Sequence, residues 1–204
     1  AVFQNILEML NLADLGIGVA ITSFLYRPLA TGDKEEITAL MYIYKRLYKV
    51  LGSIVLALGL LISFFVPQIV GDAACSDWQL RIYFYVELLS ACMGYFLAYK
   101  RTMFIADQRS YFISLVDTIS LVAVSAIQLL SLYFFPNFLF YSACTLLKII
   151  LSNAFICYRC NKEYILKDVA DTNKVKQLKE KVVTYVKDVM LTRIAAFLFY
   201  NTDS

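Results

Sequence analysis

Histidine is missing from this 204-residue sequence, and charged residues are scarce. Without histidine, the sequence offers no imidazole for acid–base catalysis, for a Ser-His-Asp triad or for a metal site. Aspartate, glutamate, lysine and arginine make up 17% of the residues, whereas soluble domains have about 25%. This charge content is too low for the surface of an ordinary soluble domain.

The five cysteines do not form a metal-binding pattern. Cys157 and Cys160 have the spacing of half a zinc site, but no second such pair and no histidine could complete four ligands. Most of the cysteines lie inside apolar stretches, where a thiol behaves as a small hydrophobic group. We therefore expect no metal ion and no organic cofactor.

Hydrophobic residues are abundant, at 60% of the sequence, and they lie in long runs. An α-helix needs about 20 apolar residues to cross roughly 30 Å of hydrocarbon. Five complete runs are present, at about 2–26, 50–70, 80–99, 111–134 and 138–158. A sixth run, 182–204, stops with the sequence, and we expect it to be the start of a further span. This pattern predicts an all-α, polytopic transmembrane helix bundle.

The distribution of lysine and arginine predicts the orientation in the membrane, because these residues are enriched in cytoplasmic loops. They are concentrated in 27–49, 100–110 and 159–187, whereas the loops at 71–80 and 135–137 have none. We therefore expect the three basic regions to be cytoplasmic and residue 1 to lie on the outer side. This orientation predicts a further span upstream, and thus a sequence that is a fragment of a longer protein.

Two of the cytoplasmic regions have their own signals. Pro28 is expected to end the first span, and Asp33 is a predicted N-cap with Glu36 three residues later. The apolar residues that follow recur at helical spacing, which predicts an amphipathic helix over 34–49 on the inner membrane surface. The polar stretch 159–181 is predicted to be a cytoplasmic connector that is partly helical.

Polar residues inside the predicted spans recur every three or four residues, so they share one face of each helix. In the second span, by contrast, Gly52, Gly59 and Ser63 form an uncharged line suited to close helix packing. The four polar stripes are Gln4, Glu8, Asn11, Asp14, Gly18 and Thr22; Tyr83, Glu87, Ser90, Gly94, Ala98 and Arg101; Ser114, Asp117, Thr118, Ser125 and Gln128; and Tyr141, Thr145, Lys148 and Ser152.

A charge at the centre of a bilayer costs at least about 2.5 kcal/mol, so the charged residues of the stripes must face protein or water. One interpretation is a hydrated cavity shared by all four stripes, which we favour. The other is helix–helix packing through polar contacts, for instance an Asp117–Lys148 ion pair across the 135–137 turn.

Two stretches resemble a known family. LADLGIGVAITSFLYRPLATGDKEEITALM, at 12–41, is similar to the second span and following cytoplasmic helix of bacterial polysaccharide repeat-unit flippases. These proteins belong to the multidrug/oligosaccharidyl-lipid/polysaccharide exporter superfamily. VKDVMLTRIAAFLFYNTDS, at 186–204, looks like the start of that family's seventh span. The region between them matches in span lengths and polarity.

The resemblance implies part of the N-terminal lobe of a two-lobe, MATE-like transporter, from about span two to the start of span seven. It implies alternating access, with no catalysed reaction, in the bacterial cytoplasmic (inner) membrane. The substrate would be an undecaprenyl-pyrophosphate-linked oligosaccharide used to build O-antigen, lipopolysaccharide or capsule. Membrane lipids, a polysaccharide polymerase and other export components are the further implied partners, and no nucleic acid is expected.

The resemblance also implies roles for the charged residues of the cavity. Basic groups would bind the anionic pyrophosphate, and acidic groups would bind sugar hydroxyls or carry coupling protons or sodium ions. The basic candidates are Arg27, Arg101, Lys148 and Arg193, and the acidic candidates are Glu8, Asp14, Glu87 and Asp117.

Three alternatives remain open at this point. A multidrug or metabolite exporter of the same superfamily would take a cationic substrate into a mainly acidic cavity. A membrane-embedded glycosyltransferase would carry catalytic carboxylates or histidines in larger extramembrane loops than those seen here. A scaffold or receptor bundle would use the polar stripes only for packing.

Overall fold

The computed structural model describes residues 17–70, 76–134, 138–164 and 172–202, and every secondary-structure element in these ranges is an α-helix. Four of the helices, α2, α4, α5 and α6, are long and apolar enough to cross a membrane. This confirms the predicted all-α, polytopic bundle, and the chain is a multi-pass membrane protein. The helices are α1 (Ile17–Thr31), α2 (Lys34–Ser63), α3 (Val66–Val70), α4 (Asp77–Ala106), α5 (Ser110–Phe134), α6 (Phe138–Glu163) and α7 (Thr172–Thr202).

Helix α4 is the centre of the described bundle. It packs most extensively on α6 and on α2, while α5 packs mainly on α6, and α7 packs on α1 and α2. The largest fully buried side chains are Tyr44 of α2 and Phe84 and Phe104 of α4. The Tyr44 hydroxyl donates a hydrogen bond to the Ile21 carbonyl oxygen at 3.2 Å, which ties α2 to α1.

Exposed aromatic residues mark two levels along the bundle. Trp78 at the start of α4 and Tyr133 at the end of α5 are 69% and 83% exposed. Tyr111 at the start of α5 and Tyr158 near the end of α6 are also exposed, at the opposite end of these helices. Tyr111 and Tyr133 are separated by about 33 Å of helix, close to the hydrocarbon thickness of a bilayer. The two levels therefore match the aromatic belts of a membrane protein.

The small residues of α2 allow it to approach α4 closely, as the sequence predicts. A Cβ atom added at Gly59 would lie 2.3 Å from a terminal methyl of Leu88, which is buried. A Cβ atom added at Gly52 would likewise lie 3.1 Å from a ring carbon of Phe96. One turn beyond Gly59, Ser63 shares a hydrogen bond of 3.2 Å with the Tyr85 hydroxyl. The helices are held together by close van der Waals contact and by this polar pair.

Replacing Gly59 with valine should lower the free energy of unfolding by about 1 to 3 kcal/mol, because the added methyl groups overlap Leu88. The measurement is denaturation of the purified protein in detergent micelles, followed by circular dichroism. Gly94→Val is the matched control, since a Cβ atom at Gly94 meets no described atom within 4 Å. Equal stability losses in both variants would contradict the close packing at Gly59.

The turn between α1 and α2 differs from the prediction at Pro28. Helix α1 continues through Pro28 to Thr31 and ends at Gly32, whose φ is +69°. The amide of Asp33 bonds to the Pro28 carbonyl oxygen, which is typical of a glycine-terminated helix. The Asp33 carboxylate then accepts hydrogen bonds from the backbone amides of Glu35 and Glu36, both at 3.0 Å. The prediction that Asp33 is an N-cap is confirmed.

Other predicted boundaries also shift, because helices continue where we expected breaks. The amphipathic segment 34–49 and most of the predicted span 50–70 form the single helix α2, which breaks only at residues 64–65. The turn after α4 covers only 107–109, so the first part of the predicted loop 100–110 is helical. Helix α7 lies partly in the connector 159–181, which was predicted to be partly helical, and it continues without a break into the predicted span from 182 onward. No proline or glycine interrupts 172–202.

Candidate functional site

Four polar side chains from three helices form one hydrogen-bonded cluster. Arg101 of α4 donates two hydrogen bonds to the carboxylate of Asp117 on α5, at 2.7 and 2.8 Å. It also donates to Ser152 Oγ and to Asn153 Oδ1 of α6, both at 2.7 Å. Ser152 in turn donates to Asp117 at 2.7 Å. Paired, bidentate contacts of this kind are the strongest that a guanidinium group makes.

The predicted polar stripes explain how the cluster forms. Helices α5 and α6 run antiparallel, so Asp117 lies beside Ser152 near one end of the pair, and Gln128 lies beside Thr145 nearer the other. The amide nitrogen of Gln128 donates to the Thr145 hydroxyl at 2.9 Å and to the Tyr141 carbonyl oxygen at 3.0 Å. The stripes of α4, α5 and α6 therefore face one another, as the sequence predicts.

The cluster borders a cavity of about 340 Å³ between α4, α5 and α6. The cavity is not sealed, because the side chain of Asp117 is 44% exposed. Its ionisable lining residues are two cations and one carboxylate, so it carries an excess positive charge. The lining residues are Arg101, Asp117, Thr118, Ser120, Leu121, Lys148, Ile149, Ser152 and Asn153.

Lys148 lines this cavity but is not part of the ion pair. Among the residues that the structure describes, no carboxylate lies within 4 Å of its amino group, and the proposed Asp117–Lys148 pair is not formed. The reason is the register of α6: Ser152, not Lys148, lies level with Asp117. Lys148 is one helical turn further along, about 6 Å away on the axis. Arg101 neutralises Asp117 instead.

Both charges lie between the two aromatic levels. Asp117 is six residues from Tyr111, which corresponds to about 9 Å of helix. Lys148 is ten residues from Tyr158, or about 15 Å of helix, close to the midpoint between the levels. At such a depth a cation is costly unless it faces protein or water. The open cavity meets this requirement for Lys148.

The remaining predicted site residues lie elsewhere. Glu87 is half-buried on α4, about 21 Å along the helix from Arg101, and accepts a 3.4 Å hydrogen bond from Ser142. Arg27 is exposed on α1 and does not line the cavity. Arg193 is part of α7, but its side chain is outside the described set, and Glu8 and Asp14 precede the described residues.

Sequence reasoning missed Asn153 and Ser142. Asn153 is 4% exposed, and its amide group bonds both Arg101 and the Ile149 carbonyl oxygen. An asparagine directly after Ser152 could have indicated a polar contact, but the stripe of this helix includes only residues spaced by three or four positions. Ser142 was missed for the same reason, since it follows Tyr141 directly on the helix.

A second polar cluster, also unpredicted, ties the 107–109 turn to the end of α6. Arg109 donates to Glu163, which also pairs with Arg159 at 2.5 Å. The hydrogen bond to Glu163 raises the pKa of Arg109. The Tyr164 hydroxyl donates to Asp107, and burial together with the Asp107 carboxylate raises the pKa of Tyr164. The cluster fixes α4, α5 and α6 to one another at this end.

Chemically, the main cavity offers groups that can bind an anion and a polar ligand. Its only described carboxylate is held by Arg101 and Ser152, and no described group of three or more histidine, cysteine, aspartate or glutamate residues could hold a metal ion. The cation at Lys148 can bind an anion, and the hydroxyls of Thr118 and Ser120 can exchange hydrogen bonds with a polar ligand. No protein-family model, curated protein or solved structure matches this chain.

Proposed function

We propose that this chain belongs to a flippase that moves undecaprenyl-pyrophosphate-linked oligosaccharides across the bacterial cytoplasmic membrane by alternating access. The observation that carries the proposal is the cation Lys148, which forms no ion pair with a described carboxylate, in a polar cavity between membrane-spanning helices. The resemblance of the two end stretches, 12–41 and 186–204, to polysaccharide flippases supports the same function.

The charge of the cavity favours an anionic substrate. Arg101 and Asp117 neutralise each other, which leaves one positive charge among the described lining residues. A pyrophosphate group carries several acceptor oxygens, and an ammonium group donates up to three hydrogen bonds to them. A cationic drug would instead need an excess of carboxylates. The described part of the cavity therefore supports a lipid-linked sugar over the cationic substrate of a multidrug exporter.

The polar cluster supports the proposal through its rigidity. Arg101 connects α4 to both α5 and α6 by four hydrogen bonds, so these helices can move as one body. Alternating access requires such a body, which rocks against a second one around the substrate site. Among the described residues, the half-buried carboxylate of Glu87 accepts one long hydrogen bond, from Ser142, and it can bind a coupling proton or sodium ion.

Disruption of the gene in the producing cell tests the function. We expect surface polysaccharide to be lost and lipid-linked repeat units to accumulate on the inner leaflet, because assembly continues while transfer stops. A plasmid copy of the gene should reverse both effects. Unchanged surface polysaccharide with increased drug sensitivity would indicate a multidrug exporter. Loss of the lipid-linked repeat units themselves would indicate a glycosyltransferase.

A further inference from the structure

A groove of about 230 Å³ separates α2 from α7, on the opposite side of the bundle from the polar cavity. Most of its wall is aliphatic, with two cations and one tyrosine among the lining residues. We propose that this α2–α7 groove binds an anionic phospholipid of the surrounding bilayer, with the phosphate between Arg46 and Lys179. The lining residues are Tyr42, Ile43, Arg46, Leu47, Val50, Val175, Lys179 and Val183.

The two cations of the groove are available to a ligand. Arg46 stacks over the Tyr42 ring, with its guanidinium carbon 4.8 Å from the ring centroid. No carboxylate of the described residues lies within 4 Å of Arg46 or Lys179, whereas the nearby Lys174 pairs with Glu35 at 3.1 Å. The groove therefore keeps two positive charges that an anion can neutralise.

The position of the groove on α2 matches the boundary between headgroups and hydrocarbon. Lys49 is the last charged residue of α2, and the groove extends from Arg46 past this point to Val50. Beyond the groove, Ile54 and Leu61 continue an exposed apolar surface along α2. A lipid whose phosphate meets Arg46 would thus lay its acyl chain against aliphatic side chains only. Basic groups at this level attract anionic lipids.

The charges explain why the ligand should be an anionic lipid and not a zwitterionic one. Each basic group near a membrane surface contributes about a fivefold gain in affinity for an anionic lipid. A phosphatidylcholine with the same acyl chains as a phosphatidylglycerol differs from it in having no net charge. Two cations should therefore favour phosphatidylglycerol by about thirtyfold.

Native mass spectrometry of the purified full chain, with added phosphatidylglycerol or phosphatidylcholine of identical acyl chains, tests the site. Wild-type protein should retain phosphatidylglycerol selectively, and Arg46→Gln/Lys179→Gln should weaken its binding by about thirtyfold. The matched control is Lys45→Gln/Lys176→Gln, which removes two exposed cations from the same helices outside the groove. The control should change binding less than twofold.

Three results would overturn the proposal. Equal losses in the groove variant and in the control would show that binding depends only on total charge. Equal retention of phosphatidylcholine would show that the cations do not contribute. Displacement of phosphatidylglycerol by equimolar farnesyl diphosphate would assign the groove to an isoprenoid carrier. The first two results do not bear on the polar cavity, whereas the third would place the carrier lipid of the proposed transport function in the groove.

Discussion

Replacing Arg101 with glutamine should destabilise the protein by about 2 to 3 kcal/mol, because it leaves the carboxylate of Asp117 without its cation inside the membrane region. Fully buried pairs lose about 3 to 5 kcal/mol when one partner is removed. Asp117 is 44% exposed in the cavity, so water reduces the penalty here. The measurement is the free energy of unfolding in detergent micelles.

A double-mutant cycle separates the ion pair from packing effects. Asp117→Asn should restore much of the stability that Arg101→Gln removes, with a coupling energy of about 1 to 3 kcal/mol between the two sites. The matched control is the exposed Lys174–Glu35 pair, whose coupling should stay below about 1 kcal/mol. A coupling at Arg101–Asp117 no larger than that of the control would show that the cluster does not hold α4, α5 and α6 together.

Much of this architecture follows from the sequence. The period of apolar runs gives the spanning helices, and the start and end of α5 at residues 110 and 134 agree closely with the predicted span 111–134. The stripes correctly indicate which faces of α4, α5 and α6 meet. Likewise, the small residues of α2 correctly indicate a close helix contact, because a Cβ atom at Gly59 would overlap the Leu88 side chain.

Partner choice within the cluster could not be predicted. The periodicity places Asp117 and Lys148 on inward faces, but a difference of one helical turn in register decides whether Lys148 or Ser152 lies beside Asp117. Register depends on side-chain packing across three helices, which cannot be read from a single sequence. Arg101 was expected on the polar stripe of its span, but nothing in the sequence indicated that its side chain bonds both α5 and α6.

Helix ends were also poorly predicted where charged residues or a proline were used as the criterion. The charged residues between 34 and 49 suggested a separate surface helix, although nothing in that stretch breaks a helix. Pro28 suggested an end that occurs instead at Gly32, where the backbone adopts a positive φ. In both cases the helix continues past the residues that suggested its end.

Removing the charge of Lys148 should have a large effect on the proposed transport. Lys148→Met should abolish polysaccharide export in the producing cell, because the cation proposed to bind the pyrophosphate is lost. Lys148→Arg should retain much of the export, since the charge remains. A ligand-binding role further predicts that Lys148→Met leaves the free energy of unfolding unchanged or raises it, because an unpaired charge leaves the membrane region. A purely structural role would predict a stability loss.

Titration of the purified protein with farnesyl diphosphate, with farnesol as the uncharged reference, tests this claim most directly. A hydrogen bond to a charged group contributes about 1.5 to 3 kcal/mol. We therefore expect wild-type protein to bind the diphosphate at least about tenfold more tightly than Lys148→Met does, with no such difference for farnesol. Lys148→Arg should bind nearly as tightly as the wild type. Equal dissociation constants of wild type and Lys148→Met for farnesyl diphosphate would contradict the assignment of the cavity to an anionic headgroup.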